Sequence, residues 1–341
     1  MPRTAASLGP SRLAAALPLL LLGLTPPATV AGQQAGLDRL QAEIEGLAAI
    51  AGGEVGVGAI HLETGTEVYL HADEAFPMAS TYKVPIATKV LDRVDRGELR
   101  LDSLVTLSPG DLHPGSGTLT SLFDEPGVTL SLRTLMELML LISDNSATDL
   151  VLKTAGGGGA VTAHMRDLGL DGIRVDRPTV RLIGDWIGIP DLPSDEVDPE
   201  TFGALAEAVD EADREAAAAR FDVDPRDTAT PRDMAALLAM IHRHEILSDE
   251  SSELLLDIMT RSTTGTGRIK GMLPPDADVA HKTGTIGGTT NDVGVLSLPG
   301  GAGHVALAVF VKSSDADVET RERAIAQISR AIYDFFLYTA P

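Results

Sequence analysis

Apolar positions along this chain recur with two periods. In "LDRLQAEIEGLAAIA" (37–51) they return every third or fourth residue and predict a helix. In "EVGVGAIHL" (54–62) and "EVYLHA" (67–72) they alternate with the other residues, which predicts two strands of a hairpin turned at Thr64-Gly65. From Ser80 to about Leu256 the spacing is mostly helical, broken by "SPGDLHPGSG" (108–117) and by the glycine run 156–159. At the far end "DVAHKTGT", "NDVGVLSLP" and "HVALAVFVK" read as three strands, and "VETRERAIAQISRAIYDFFLY" as a long closing helix.

Helix and strands at both ends can share one sheet, with the helical middle inserted as a second lobe. The expected fold class is therefore α/β (α+β): an antiparallel sheet flanked by N- and C-terminal helices, plus an inserted all-α lobe. The expected boundaries are 32–79 and 257–341 for the sheet lobe and 80–256 for the helical lobe. Residues 185–226 are strongly acidic and read as a solvated surface insertion, with "EAVDEADREAAAAR" as one exposed helix.

The N-terminus adds an address. Arg3 and Arg12 precede the apolar run "LAAALPLLLLGL", and "PATVAG" offers a cleavage point near Ala31 or Gly32, so residues 1–31 read as an export signal. The run is shorter than the roughly 20 apolar residues of a spanning helix. A periplasmic or secreted protein without stable membrane insertion is expected, a retained anchor being the competing reading.

Composition then excludes several functions. The chain has 341 residues, 44% hydrophobic, enough for substantial cores, and has no cysteine, so disulfides and thiol nucleophiles are absent. A formal net charge of −22 repels nucleic acid. His242 and His244 lack the His-Glu-x-x-His spacing of a zinc site, the glycine run precedes no P-loop lysine, and no Gly-x-Ser-x-Gly elbow surrounds a serine. No metal or organic cofactor is implied, and a monomer is expected.

Three short motifs carry candidate chemistry. A catalytic serine needs a base within reach and N–H or cationic groups where an oxyanion forms. Ser80 and Lys83 are three apart at a helix start marked by Pro85, so they share a face beside the positive end of the helix dipole. Ser143-Asp144-Asn145 follows an apolar helix, and Lys282-Thr283-Gly284-Thr285 lies in a predicted strand. Taken singly, each serine reads as a cap and each lysine as a surface charge; the set in this order does not. His281 alternates to the opposite strand face and reads as structural.

The set resembles the penicillin-recognising serine enzymes, above all class A β-lactamases and their peptidase relatives. "FPMASTYKV", "SDNSATDLVL", "HKTGT", "TTNDVGVLSLP" and "DTATPRDMAALL" are similar to family segments across nearly all of the mature chain, 32–341. The resemblance implies that Ser80 is the acylated nucleophile, Lys83 its proton acceptor or relay, and Ser143 the shuttle to the leaving nitrogen. It implies that Asn145 holds the substrate side-chain amide, that Lys282, Thr283 and Thr285 face the substrate carboxylate beside Gly284, and that the N–H groups of Ser80 and Thr285 form the oxyanion hole. Burial and the nearby Lys282 are expected to lower the Lys83 pKa. "VDRPTVRLI" and "DPRDTATP" are similar to the two ends of the family's loop, which makes Arg177 and Asp227 its neck pair.

One position departs from the pattern. Thr179 stands where the family has its deacylating glutamate, and Arg181 and Ile183 replace other loop residues. Asp185, Asp191, Glu196 and Glu200 are the candidates for a substitute base folding back from the insertion. The resemblance implies a serine acyl-enzyme opening β-lactam amides. Alternatives are a D-alanyl-D-alanine peptidase-like enzyme acting on cell-wall peptides, or a slow-turnover penicillin-binding sensor.

Overall fold

A computed structural model describes residues 1, 28–123 and 127–339. The apolar run of the expected leader lies outside the described residues, and among those described no helix is long and apolar enough to cross a membrane. Helix α1 (Ala28–Ala48) places Leu40 and Ile44 in the core, as the 37–51 periodicity predicts.

Strands β1 (Glu54–His61) and β2 (Glu67–Leu70) form the predicted hairpin; β3 (Val279–Ile286), β4 (Thr289–Leu298) and β5 (Gly303–Lys312) follow late in the chain. All pair antiparallel in the order β2-β1-β5-β4-β3, which leaves β3 as an edge. The expected fold class is the one observed.

Alternation sorts the sheet's two faces. In β5, Val305, Leu307, Val309 and Val311 face one way, onto α1 and the closing helix Val318–Thr339. Ala306, Ala308 and Phe310 face the other, into the core shared with the helical region. Each such side chain, fully buried, is worth about 1.5–3 kcal/mol for the larger types.

The helical spacing of 80–256 places the helix Pro231–His242 in the helical lobe, but it lies on the sheet against β1, β4 and β5. Gly58 permits this approach: a Cβ there would stand 2.3 Å from the Pro231 carbonyl oxygen. The periodicity was legible; which layer the helix joins was set by small residues on a distant strand.

The acidic insertion also differs from expectation. It folds as two helices, Pro199–Glu207 and Glu211–Phe221, because Asp210 caps the second by accepting from the Asp213 N–H at 2.9 Å. Together with the helix Thr179–Ile187 they bury Val180, Ile189, Val197 and Phe202 in a small core of their own. The segment is a folded cap with a charged outer face.

Candidate active site

Ser80 lies in a 3₁₀ turn, Ala79–Tyr82, that feeds α2 (Lys83–Asp95). At three residues per turn Ser80 and Lys83 stack on one face. Ala79 holds a positive φ of 46°, a strained conformation that bends the chain into the turn. Ser80 remains partly exposed at a cleft of about 260 Å³ that Tyr82, Asn145, Thr179, Ile183, Trp186 and Thr285 also line.

The second motif joins α3 (Leu132–Leu141) to α4 (Asn145–Ala155). Ser143 takes a positive φ of 60°. Asp144 caps α4 through the Ala147 N–H at 2.9 Å and accepts from the N–H groups of Thr118 and Leu119 at 2.7 and 2.9 Å. That carboxylate thus pins the segment opposite Ser80. Asn145 donates to the Pro114 carbonyl at 2.9 Å.

Lys83 extends fully buried from α2 and donates to the Ser143 carbonyl at 2.8 Å, Ser143 Oγ at 3.0 Å and Asn145 Oδ1 at 3.1 Å. Lys282, equally buried, donates to the same Ser143 Oγ at 3.1 Å and to the Thr283 carbonyl at 2.8 Å. Sequence reasoning placed the Lys83 amine at Ser80; among the described residues its hydrogen bonds go to Ser143 and Asn145 instead. The four-carbon stem carries the amine past Ser80, and contacts of this kind tighten when substrate arrives.

Burial pushes the Lys83 amine down to about 7, against the opposing pull of Asp149 and Asp144. Burial, reinforced by the charge of Lys83, also drives Lys282 well below its ordinary value. Two amines around one hydroxyl in a dry site favour a single shared positive charge.

The third motif is the edge strand β3. A Cβ on Gly284 would stand 2.5 Å from the Met78 carbonyl oxygen and 2.9 Å from the Ser80 nitrogen, so only glycine lets β3 lie against the Ser80 turn. Thr285, exposed on that edge, follows directly. Thr283 shares a 2.7 Å hydrogen bond with Thr264. His281 is buried against Asp292 at 2.9 Å, on the far side of the strand.

Two residues that sequence reasoning missed meet this site. Arg268 donates to Thr285 Oγ1 at 2.6 Å and to the carbonyls of Gly284 and Asn291 at 3.0 and 2.8 Å, adding a third cation beside β3. Nothing in its "TGTGRIKG" surroundings has a period or motif that marks it. Asp149, one turn into α4, accepts from the N–H groups of Thr179 and Val180 at 2.6 and 3.1 Å and so anchors α5 (Thr179–Ile187).

Arg177 and Asp227 meet at 2.6 Å, both buried, and the Asp176 N–H adds a 2.7 Å bond to the same carboxylate. Arg177 also holds Asp185 at 2.6 Å and Asp224 at 3.1 Å. The four substitute bases considered from sequence do not line the Ser80 cleft. Asp185 is drawn to Arg177, and Glu196 pairs with Lys153 at 2.6 Å beside a different cavity; Asp191 and Glu200 are exposed on the folded insertion.

The sequence profile of the Beta-lactamase enzyme family matches residues 39–336. Beta-lactamase VEB-1 of Pseudomonas aeruginosa is 27% identical over 327 residues, covering 94% of this chain and 97% of its own. A β-lactamase crystal structure from Chitinophaga pinensis superposes with a TM-score of 0.73 at 32% identity, over 87% of this chain and 98% of that one. An ancestral class A β-lactamase superposes with a TM-score of 0.71 at 31% identity, over 86% and 99%. With the edge strand, the serine turn and the paired lysines in one cleft, the chain belongs to the β-lactamase enzyme family, among its class A-like members.

Proposed function

We propose that this protein hydrolyses β-lactams through an acyl-enzyme on Ser80. The observation that carries the reading is the convergence of Lys83 and Lys282 on Ser143 Oγ beside the Ser80 turn. Lys83, neutral above pH about 7, takes the Ser80 proton directly or through a water. Ser80 Oγ attacks the ring carbonyl, whose oxygen gathers charge beside the backbone N–H groups of Ser80 and Thr285. Ser143 then delivers a proton to the leaving ring nitrogen. Lys282 and Arg268 attract the substrate carboxylate, and Asn145 holds its side-chain amide.

The relatives and structural neighbours named above are β-lactamases, which favours this chemistry over a cell-wall peptidase. The N-terminal leader read from sequence supports action in the periplasm or outside the cell. The test is intact-protein mass after mixing with a penicillin, beside Ser80→Ala. A transient adduct equal to the drug's mass, absent in Ser80→Ala, is expected. An adduct that survives Ser80→Ala overturns the nucleophile, and a permanent one makes the protein a penicillin-binding sensor.

A further inference from the structure

Releasing an acyl-serine ester requires a base to take a proton from water. Among the described residues no Asp, Glu or His lines the Ser80 cleft. Lys83 is committed to three hydrogen bonds on the Ser143 side. A carboxylate is nonetheless joined to the cleft through one side chain. Thr179 lines the cleft, its Oγ1 lies 2.5 Å from the Tyr82 hydroxyl, and its backbone N–H donates to the Asp149 carboxylate at 2.6 Å, which sets that carboxylate beside the threonine.

Asp149 is held for this contact. Both its oxygens accept backbone N–H groups, from Thr179 and Val180, so the carboxylate cannot turn away from the threonine. His113 Nε2 lies 3.4 Å from Asp149 Oδ2, and the other ring nitrogen, Nδ1, is buried without a partner. Asp149 and His113 both line a second cavity, of about 480 Å³, that Ser80 does not line. Burial lifts the Asp149 carboxyl above its ordinary range, against the lowering pull of His113 and of the two N–H groups, which makes it a better proton acceptor than a solvated carboxylate.

We propose that Asp149, acting through the Thr179 hydroxyl, is the deacylating base of this enzyme; the inference rests on the acyl-Ser80 chemistry above. When Tyr82 donates to it and its own proton turns to the neighbouring Asp149 carboxylate, Thr179 Oγ1 keeps one lone pair for a water in the cleft. As that water's oxygen bonds to the acyl carbon, its proton passes to Thr179 Oγ1 and the threonine's own proton passes to Asp149, so the threonine never carries a charge. The carbonyl electron pair moves onto its oxygen. On collapse the bond from the acyl carbon to Ser80 Oγ breaks, the proton returns through Thr179 to Ser80, and the acid product loses its proton to solvent.

The experiment follows acyl-adduct decay in the full chain by intact-protein mass after a penicillin pulse, with the acylation rate recorded in parallel. Thr179→Val keeps the shape and the backbone N–H but removes the hydroxyl, so deacylation should slow about 10²-fold while acylation stays within a few-fold. Thr179→Ser should restore it, which a merely structural threonine does not predict. Asp149→Asn should slow deacylation as Thr179→Val does and add nothing further in the double variant. Thr179→Val acylating and deacylating at the wild-type rates overturns the relay and leaves Lys83 as the base. A wild-type protein that forms no adduct overturns instead the acyl-enzyme reading on which the relay depends.

Discussion

Lys83 and Lys282 donate to the same oxygen, at 3.0 and 3.1 Å from Ser143 Oγ. Because burial brings Lys83 to about 7, the amine is protonated and idle below that pH and free to accept above it. Wild-type acylation is expected to rise through pH about 7 and level off above. Lys83→Ala should lower it by about 10²–10⁴ and flatten that limb. Stopped-flow acylation by a chromogenic cephalosporin across pH checks both, and an unchanged limb in Lys83→Ala would assign the titration elsewhere.

Much of this site was legible because its residues are local. Ser80 and Lys83 are one turn apart, so helical spacing put them on one face, and Lys282 to Thr285 are contiguous in one strand, where the resemblance to family motifs marked them. What was not legible depends on contacts across the chain. Asp149 meets Thr179 from thirty positions away, Arg268 reaches Thr285 from a glycine-rich turn, and the amine of Lys83 points where Ser143 draws it. The insertion was legible only in part: its exposed helix is present as Glu211–Phe221, but its charge run hid an apolar stripe from Val180 to Phe202 that becomes visible only once its helices fold together.

Gly284→Ala should disable acylation without unfolding the sheet. The added methyl meets the Met78 carbonyl and the Ser80 nitrogen, both backbone, so the edge strand must retreat. A displacement near 1 Å costs about 10²-fold in rate, while the strain costs about 1–3 kcal/mol of stability. Acylation kinetics beside a melting curve separate the two; full activity would show that β3 does not need this approach.

Asp227→Ala should loosen the loop neck. Breaking a buried pair costs about 3–5 kcal/mol, and the low end is expected because Asp185 and Asp224 still neutralise Arg177. Since Asp227 also accepts the Asp176 and Arg177 N–H groups, the start of α5 moves with it. Thermal unfolding should shift down and deacylation should slow more than acylation. Equal slowing of both steps would place the damage at Ser80 rather than in the loop.

Trp186 reaches from α5 across the cleft to the turn after β3, its Nε1 lying 2.8 Å from where a Cβ on Gly287 would stand. With Leu182, Ile183 and Ile286 it makes an apolar wall on the open side of Ser80, so a large acyl substituent on a β-lactam has to pass it. Trp186→Ala should therefore favour cephalosporins with bulky acyl groups over small penicillins, changing their ratio of kcat/KM about tenfold or more, the usual scale for pocket shape. The half-buried indole contributes modestly to stability, so the variant remains folded and the ratio can be measured directly. If both substrates lose equally, the indole serves to hold α5 against the sheet, and the cleft's selectivity resides in the side chain of Ile286.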